Sequence, residues 1–242
     1  MNTRWILLIP YLLGIVPSAW SADEAAPLFR DDFADRTAWA DWIFPKIPQT
    51  TDYAVETRDG SSVLCVVSAG AASGLLSQQA FTVPEGRDYR VRWRWRADRL
   101  PTAPDPRTKP GDDYALRVYV IYERPEKEAG WLERYALRKA PFRELGYLPV
   151  RSLAYVWTET PGLPAYFENP YTDRVIMLPR TYARAERGEW REVEIDPAAD
   201  YRRITGEAAP RRFRLAIMGD ADNSASRSEA WLDWIEVGDA AR

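Results

Sequence analysis

The chain has 242 residues, a formal charge of −3, one cysteine and no histidine. Without an imidazole there is no Ser-His-Asp or Cys-His nucleophile pair and no His-ligated zinc or iron, which leaves catalysis to carboxylates, tyrosines, lysines or a hard metal ion. The length suits one sizeable domain, and the acidic balance excludes the basic stripe that nucleic-acid binding requires.

In chain order, residues 1–21 read as a secretory signal. Arg4 precedes a mostly apolar run from Trp5 to Val16, and Ala19 and Ser21 form a small-x-small cleavage site. Cleavage is expected after Ser21 or Ala22. The apolar run is shorter than the roughly 20 residues that span a bilayer, and no later segment is apolar enough to cross. The mature chain, residues 22–242, is therefore expected to be a single exported domain, periplasmic or secreted, with no transmembrane segment. Its oligomeric state is open.

Short strand-like runs punctuated by Gly, Pro, Asp and Asn predict an all-β, antiparallel jelly-roll-like sandwich. Strands are expected at 29–34, 53–57, 62–67, 75–83, 89–96, 116–122, 152–158, 173–178, 189–195, 213–218 and 230–237. In the fifth run Tyr89, Val91, Trp93 and Trp95 alternate with four arginines, so the apolar face must be core. The run 116–122 is apolar on both faces except Arg117, as in a central strand, and that charge is costly unless paired. Asp112 and Asp113 lie just upstream. Cys65 has no partner cysteine and sits in an apolar run as a buried thiol. Residues 126–145 carry Trp131, Tyr135 and Leu137 at near-helical spacing and predict one short inserted helix.

Three groups of residues could carry chemistry. The first joins the chain ends: Phe29-Arg30-Asp31-Asp32-Phe33 and the strand containing Asp233. In sugar-binding jelly rolls such ends lie adjacent, and Asp31, Asp32 and Asp233 are candidate ligands for a structural calcium. Edge carboxylates in water, or an ion pair to Arg30, are the alternative. The second group is two acid-rich loops, Lys109-Pro110-Gly111-Asp112-Asp113-Tyr114 and Gly219-Asp220-Ala221-Asp222-Asn223-Ser224. Turn chemistry accounts for the second loop as well as ligand binding does. The third is aromatic: Tyr147, Tyr155, Trp157, Tyr166, Phe167 and Tyr171. Tyr155 and Trp157 share one strand face, as glycan-stacking or core residues. Tyr171 falls in turn-forming sequence and is expected to be the more exposed.

The ordered set Trp93-x-Trp95, Lys109-x-Gly111-Asp112-Asp113-Tyr114, Arg117-x-Tyr119-Val120, Tyr155-Val156-Trp157, Asn169-Pro170-Tyr171, Trp190, Asp200-Tyr201 and Met218-x-Asp220-x-Asp222-Asn223-Ser224 resembles the domain of unknown function 3047 family. The likeness runs from Phe29 to Val237. It departs in a longer 123–150 segment and in Leu232-Asp233-Trp234, which replaces a Gly-Asp-Ile. The family consists of exported bacterial proteins with a β-sandwich and no established activity. The resemblance implies that Lys109, Asp112, Asp113, Arg117, Asp220, Asp222 and Asn223 form one site, either an ion network locking two loops or a polar pocket.

These features point to a non-catalytic, exported module that binds a carbohydrate or cell-envelope glycan through that group with Tyr155, Trp157 and Tyr171. Two alternatives compete. One is a glycoside-cleaving enzyme with Asp112 or Asp113 facing Asp220 or Asp222, although aspartates beside Arg117 and Lys109 are expected to have lowered pKa values while a general acid needs a raised one. The other is a structural or assembly protein of the envelope.

Overall fold

The computed structural model describes residues 27–131 and 147–239. The expected signal at 1–21 and most of the expected helix at 126–145 lie outside the described residues. The described start of that helix is a single 3-10 turn, Glu126–Glu128.

Two sheets face each other. The first orders β12 (Arg191–Ile195), β7 (Tyr89–Arg99), β14 (Arg227–Asp239), β4 (Ser61–Ala69) and β3 (Asp52–Arg58), and β1 (Phe29–Asp31) pairs with β14. The second orders β10 (Phe167–Asn169), β11 (Thr172–Thr181), β9 (Tyr147–Thr158), β8 (Arg117–Pro125), β13 (Arg212–Asp220), β5 (Ala72–Ser77) and β2 (Trp39–Trp42), and β6 (Phe81–Thr82) pairs with β13. Among the described strands every pairing is antiparallel except β11 with β9. The two ends of the described chain do meet, Phe29 opposite Val237 and Asp31 opposite Ile235. Among the described residues no helix is long and apolar enough to cross a membrane.

The predicted alternation of β7 decides the core. Val91, Trp93 and Trp95 are fully buried and meet the inward face of β9 across the sandwich. Ring centroids of Trp93 and Tyr155 lie 5.7 Å apart, and those of Trp95 and Trp157 5.6 Å apart. Such edge-on and tilted aromatic pairs add about 0.5–1.5 kcal/mol beyond their area. The arginines of β7 face outward into a cross-strand charge ladder. Arg92 lies opposite both Glu194 and Glu236, and Glu236 lies opposite Arg30. Outward-facing Cys65 packs with Val63 and Trp231 under the guanidinium of Arg58, 3.8 Å from the Trp231 ring. Burial pushes its thiol up to about 12, so it behaves as a small hydrophobe.

The outer face of the second sheet is also buried. Tyr119, Ile121, Ala154, Val156, Met177, Ala216 and Met218 form an apolar layer there, with Trp42, Phe44 and Ile47 packed on it. This layer is why β8 is buried on both faces from Arg117 to Glu123.

A helix absent from the expected elements, α1 (Pro197–Thr205), packs against the sandwich. Asp196 caps it by accepting a bond from the Ala199 N–H at 2.8 Å, Pro197 starts it, and Gly206 ends it at φ +76°. Asp200 accepts a 2.9 Å bond from the Tyr155 hydroxyl, and Tyr201 packs edge-on against Tyr122.

The end of β13 lies close against the first sheet. A Cβ on Gly219 would sit 2.6 Å from Val66 Cγ1 and 3.0 Å from the Ala115 carbonyl oxygen. The Gly219 carbonyl accepts from the Thr51 hydroxyl, and its N–H donates to the Tyr53 hydroxyl. This close approach sets the position of Asp220 on the next residue. Gly219→Ala should therefore cost about 1–3 kcal/mol, the range for overpacking a filled core, read by chemical denaturation. An unchanged midpoint would contradict the close approach.

Candidate functional site

At one end of the second sheet three connections converge: the segment before β8, the turn between β10 and β11, and the loop between β13 and β14. Arg117, 2% exposed, sits at their centre. Its Nη1 donates to Asp112 Oδ1 at 3.1 Å, its Nε to Asp220 Oδ1 at 3.2 Å and its Nη2 to both Asp220 Oδ2 and the Asp112 carbonyl. Its guanidinium also lies 4.5 Å from the Tyr114 ring centroid. The local sequence makes this possible. A 3-10 turn at Lys109–Gly111 turns the chain, and Gly111 is required because a Cβ there would lie 2.0 Å from the Asp105 carbonyl oxygen.

The aspartates pin the remaining loops. Asp112 Oδ2 accepts from Asn169 Nδ2 at 2.8 Å, tying in the β10–β11 turn. Asp113 accepts four bonds, from the N–H and Nδ2 of Asn223 and from the N–H and hydroxyl of Ser224. Asp220 also accepts from the Tyr114 N–H at 2.8 Å. Tyr171 is 55% exposed, yet it is fixed twice. Its hydroxyl donates to Asn223 Oδ1 at 2.5 Å, and its N–H donates to Asn169 Oδ1 at 3.0 Å. The Lys109 ammonium stands 5.2 Å from its ring centroid.

Lys109, Asp112, Asp113, Arg117, Tyr171, Asp220, Asp222 and Asn223 are thus brought together. Asn169 and Ser224 appeared in the motifs but were not singled out, although the Asx-turn pattern Asn-Pro-Tyr was a legible sign for Asn169. Tyr155 and Trp157 are corrected. They are 0% and 1% exposed, and Trp157 is packed against Tyr182 with centroids 4.2 Å apart. Their shared strand face is the core face, so neither ring is free to stack on a sugar.

The metal candidates at the chain ends are corrected as well. Asp32 pairs with Arg30, and Asp233 with Arg94. Asp31 accepts from the Phe33 N–H and from Trp39 Nε1. Each carboxylate is used by a different partner, and the three do not form a cluster. Instead Asp113, Asp220 and Asp222 bring carboxylate oxygens within 4.8 Å of one another, near enough for a metal ion to be held. Asp113 and Asp220 already accept four and three hydrogen bonds. Only Asp222 keeps its oxygens clear of other side chains, whereas calcium takes about 6–8 oxygens. The donor set fits an ion network better than a calcium cage.

Its electrostatics run against the sequence expectation. Burial raises the pKa of Asp112, Asp220 and Asp222, and the pull of Arg117 only partly offsets it. Burial also opposes the charge on Arg117, but Asp112 and Asp220 outweigh it and hold the guanidinium protonated. Proximity to a cation was read correctly. What the sequence could not reveal is that one buried arginine serves several carboxylates in a dehydrated layer.

Beside the network opens a pocket of about 350 Å³. Leu100, Pro101, Pro104, Pro106 and Pro161 supply apolar wall, and Asp113, Thr158, Glu159 and Thr160 supply polar atoms. Gly111, Asp113 and Tyr114 belong to both the pocket and the network segment. Trp157 is among the lining residues, and its buried indole nitrogen has no hydrogen-bond partner. Among the described residues the pocket lining holds no arginine or lysine, and Glu159 is paired to Arg187 at 2.7 Å.

Comparison with known proteins adds a family. The sequence model of a family described as "Protein of unknown function (DUF3047)" matches residues 37–236. No curated protein matches the sequence. Among solved structures, the chain is similar to a family 11 carbohydrate-binding module of the cellulosomal cellulase Lic26A-Cel5E of Clostridium thermocellum, at 10% identity over 90% of this chain and 95% of that one, with a TM-score of 0.46. It is also similar to the metal-free form of lectin I-B4 from Griffonia simplicifolia, at 11% identity over 88% and 99%, with a TM-score of 0.43. A Bacillus subtilis protein of unknown function with a galectin-like fold gives 12% identity over 90% and 98%, with a TM-score of 0.39.

The raised pKa of Asp222 makes a signed prediction. A carboxyl whose pKa is raised in the fold holds its proton more readily there than in the unfolded chain. Its contribution is present below the unfolded value of 3.8 and is lost as pH rises through the folded value. Asp222→Asn should raise the melting temperature at neutral pH by only about 1–2 °C, since solvent screens this part-exposed carboxyl. The gain should shrink as pH falls through the raised folded value, where the native carboxyl takes up its proton. A lowered melting temperature at neutral pH would contradict this reading.

Proposed function

Because the chain belongs to the DUF3047 family, which is described only as proteins of unknown function, we propose its role from its own site: it is an exported module that binds a carbohydrate, with a cell-envelope glycan as the ligand class. One observation carries this reading. An exposed ring, Tyr171, is held by its own hydroxyl and backbone and stands against Lys109, whose 109–114 segment also lines the pocket at Gly111, Asp113 and Tyr114. A fixed ring loses little freedom on binding, which is how preorganised aromatic platforms gain affinity. Carboxylate and hydroxyl groups over an apolar wall suit a polyol, with acceptors and donors for its hydroxyls and a flat surface for its C–H groups.

Export is supported by the arginine, apolar run and small-residue site at residues 4–21. Hydrolysis by two carboxylates is supported less well than binding. The raised pKa values of Asp112, Asp220 and Asp222 would suit a general acid, but that mechanism also needs a second carboxylate free to act as nucleophile or base. Asp113 is saturated by Asn223 and Ser224, and Asp112 and Asp220 are engaged by Arg117. Calcium fits the crowded donors at Asp113 and Asp220 poorly, so the binding surface is attributed to the network without it.

The test is affinity electrophoresis of residues 22–242 through gels containing a panel of polysaccharides, with reducing ends assayed in the same mixtures. Retardation without new reducing ends is expected. Tyr171→Ala and the pocket-filling Ala103→Trp should each abolish most of the retardation and leave the melting temperature within about 1–2 °C. New reducing ends would favour the carboxylate enzyme. No retardation by any glycan would overturn the reading.

A further inference from the structure

Residues 101–104 form one wall of the pocket, with Pro101, Ala103 and Pro104 in its lining. The span runs from Leu100, which packs on the core, to Asp105, whose carbonyl accepts from the Thr108 N–H and hydroxyl. Its prolines have no N–H to give. Among the described residues one hydrogen bond ties this span to the rest of the protein: the Thr102 N–H donates to Ser226 Oγ at 3.1 Å. Ser226 is itself fixed by its backbone. Its N–H donates to the Ala221 carbonyl at 3.1 Å, and its carbonyl accepts from the Gly70 N–H at 2.8 Å.

The direction of the next bonds follows from counting protons. A serine hydroxyl has a single proton to donate. Ser224 gives its own to Asp113 Oδ2 at 2.5 Å, so in the 2.8 Å contact between the two serines Ser226 is the donor. Ser226 Oγ is then free to accept the Thr102 N–H. The bonds run one way, from Thr102 through Ser226 and Ser224 to a carboxylate, and aligned bonds of this kind strengthen one another. The other oxygen of the same carboxylate, Asp113 Oδ1, accepts from the N–H and Nδ2 of Asn223 at 3.2 and 3.1 Å. Asn223 Oδ1 in turn accepts from the Tyr171 hydroxyl at 2.5 Å. Asp113 therefore joins the pocket wall, through Oδ2, to the exposed ring, through Oδ1.

Resting on the glycan reading of this site, we infer that Ser226 is its positioning residue: the hydroxyl latches the 101–104 wall to the Asp113 junction, fixes where the wall stands relative to the Tyr171 ring, and so makes wall and ring one two-part surface for a polyol. A wall held by one latch adds little to stability. Once released, it has to be ordered again each time a sugar is bound, and that cost falls on affinity.

Ser226→Ala removes the acceptor and keeps both backbone bonds of residue 226. Thr102 is exposed, so water can take its N–H, and the melting temperature should stay within about 1–2 °C. The probes are mixed-linkage β-glucan, β-1,4-galactan, xylan and soluble peptidoglycan in affinity gels of the mature chain. The probe that retards the unaltered chain should bind Ser226→Ala about tenfold more weakly, and Ser226→Thr, which keeps the hydroxyl, should restore affinity to within about twofold. Tyr171→Phe keeps the ring, removes its tie to Asn223 and should also weaken binding. Combined with Ser226→Ala it should cost little more than the worse single change, because either one already breaks the unit. Amide exchange at Thr102, read by NMR without any glycan, should be slower in the unaltered chain than in Ser226→Ala. Undiminished retardation of Ser226→Ala, or equal Thr102 exchange in the two chains, would overturn this inference and leave glycan binding intact. Losses that multiply in the double variant would overturn the coupling to Tyr171. No retardation of the unaltered chain by any of these glycans would overturn the underlying reading as well.

Discussion

Burying a guanidinium on a central strand costs several kcal/mol unless both its charge and its donors are met, and around Arg117 much of this end of the sandwich is arranged to meet them. β8 could not carry an arginine in an apolar layer if Asp112 and Asp220 did not reach it from opposite sides. Asp220 can reach it only because Gly219 lets β13 lie flat against the first sheet, and Asp112 only because Gly111 lets the preceding turn close against Asp105. Two glycines and one arginine therefore decide where three connecting segments sit. Tyr171 inherits its fixed position from the same network through Asn169, Asn223 and Asp113.

The two outer faces of the sandwich treat charge differently. On the first sheet, Glu194, Arg92, Glu236 and Arg30 alternate across four strands, so the ladder is locally balanced and stabilises the sheet without a surplus field. At the loop end of the second sheet the count does not balance. Natural folds keep uncompensated charge where it serves a ligand or a partner. That contrast, more than the presence of acidic residues as such, supports the proposal that ligand binding falls at the 109–114 and 220–224 loops.

Much of the architecture was legible from period-two alternation. β7 declared its inward face because only one of its faces is apolar, and the adjacency of the chain ends matched the likeness to sugar-binding jelly rolls. The second apolar layer was less visible. Burial on both faces makes a strand read as a plain hydrophobic run, so β8 announced that it was central without revealing what covered it. The parallel pairing of β11 with β9 had no local signature, since register belongs to the tertiary fold. Helix α1 was signalled by Asp196, Pro197 and Gly206, an N-cap, a first-turn proline and a left-handed stop that strand spacing overshadowed. At the loop end, the family resemblance grouped seven side chains that the fold brings together, and turn-forming sequence marked Tyr171 as exposed. Alternation alone could not say whether Tyr155 and Trp157 faced core or solvent, and the carboxylates at Asp31, Asp32 and Asp233 could not be assigned to Trp39, Arg30 and Arg94 without the fold.

The central claim is that Arg117 and its aspartates act as one unit holding this end of the molecule. A double-mutant cycle on denaturation free energy, with Arg117→Met, Asp220→Asn and the pair together, tests it most directly. The account predicts that the two single losses sum to more than the double loss by about 2–3 kcal/mol, since Arg117→Met strands Asp220 and Asp220→Asn takes a counter-charge from Arg117, penalties absent from the pair, while the stranding of Asp112 is common to Arg117→Met and the pair and cancels. Additivity to within about 0.5 kcal/mol would show that the two residues act independently and would contradict the account.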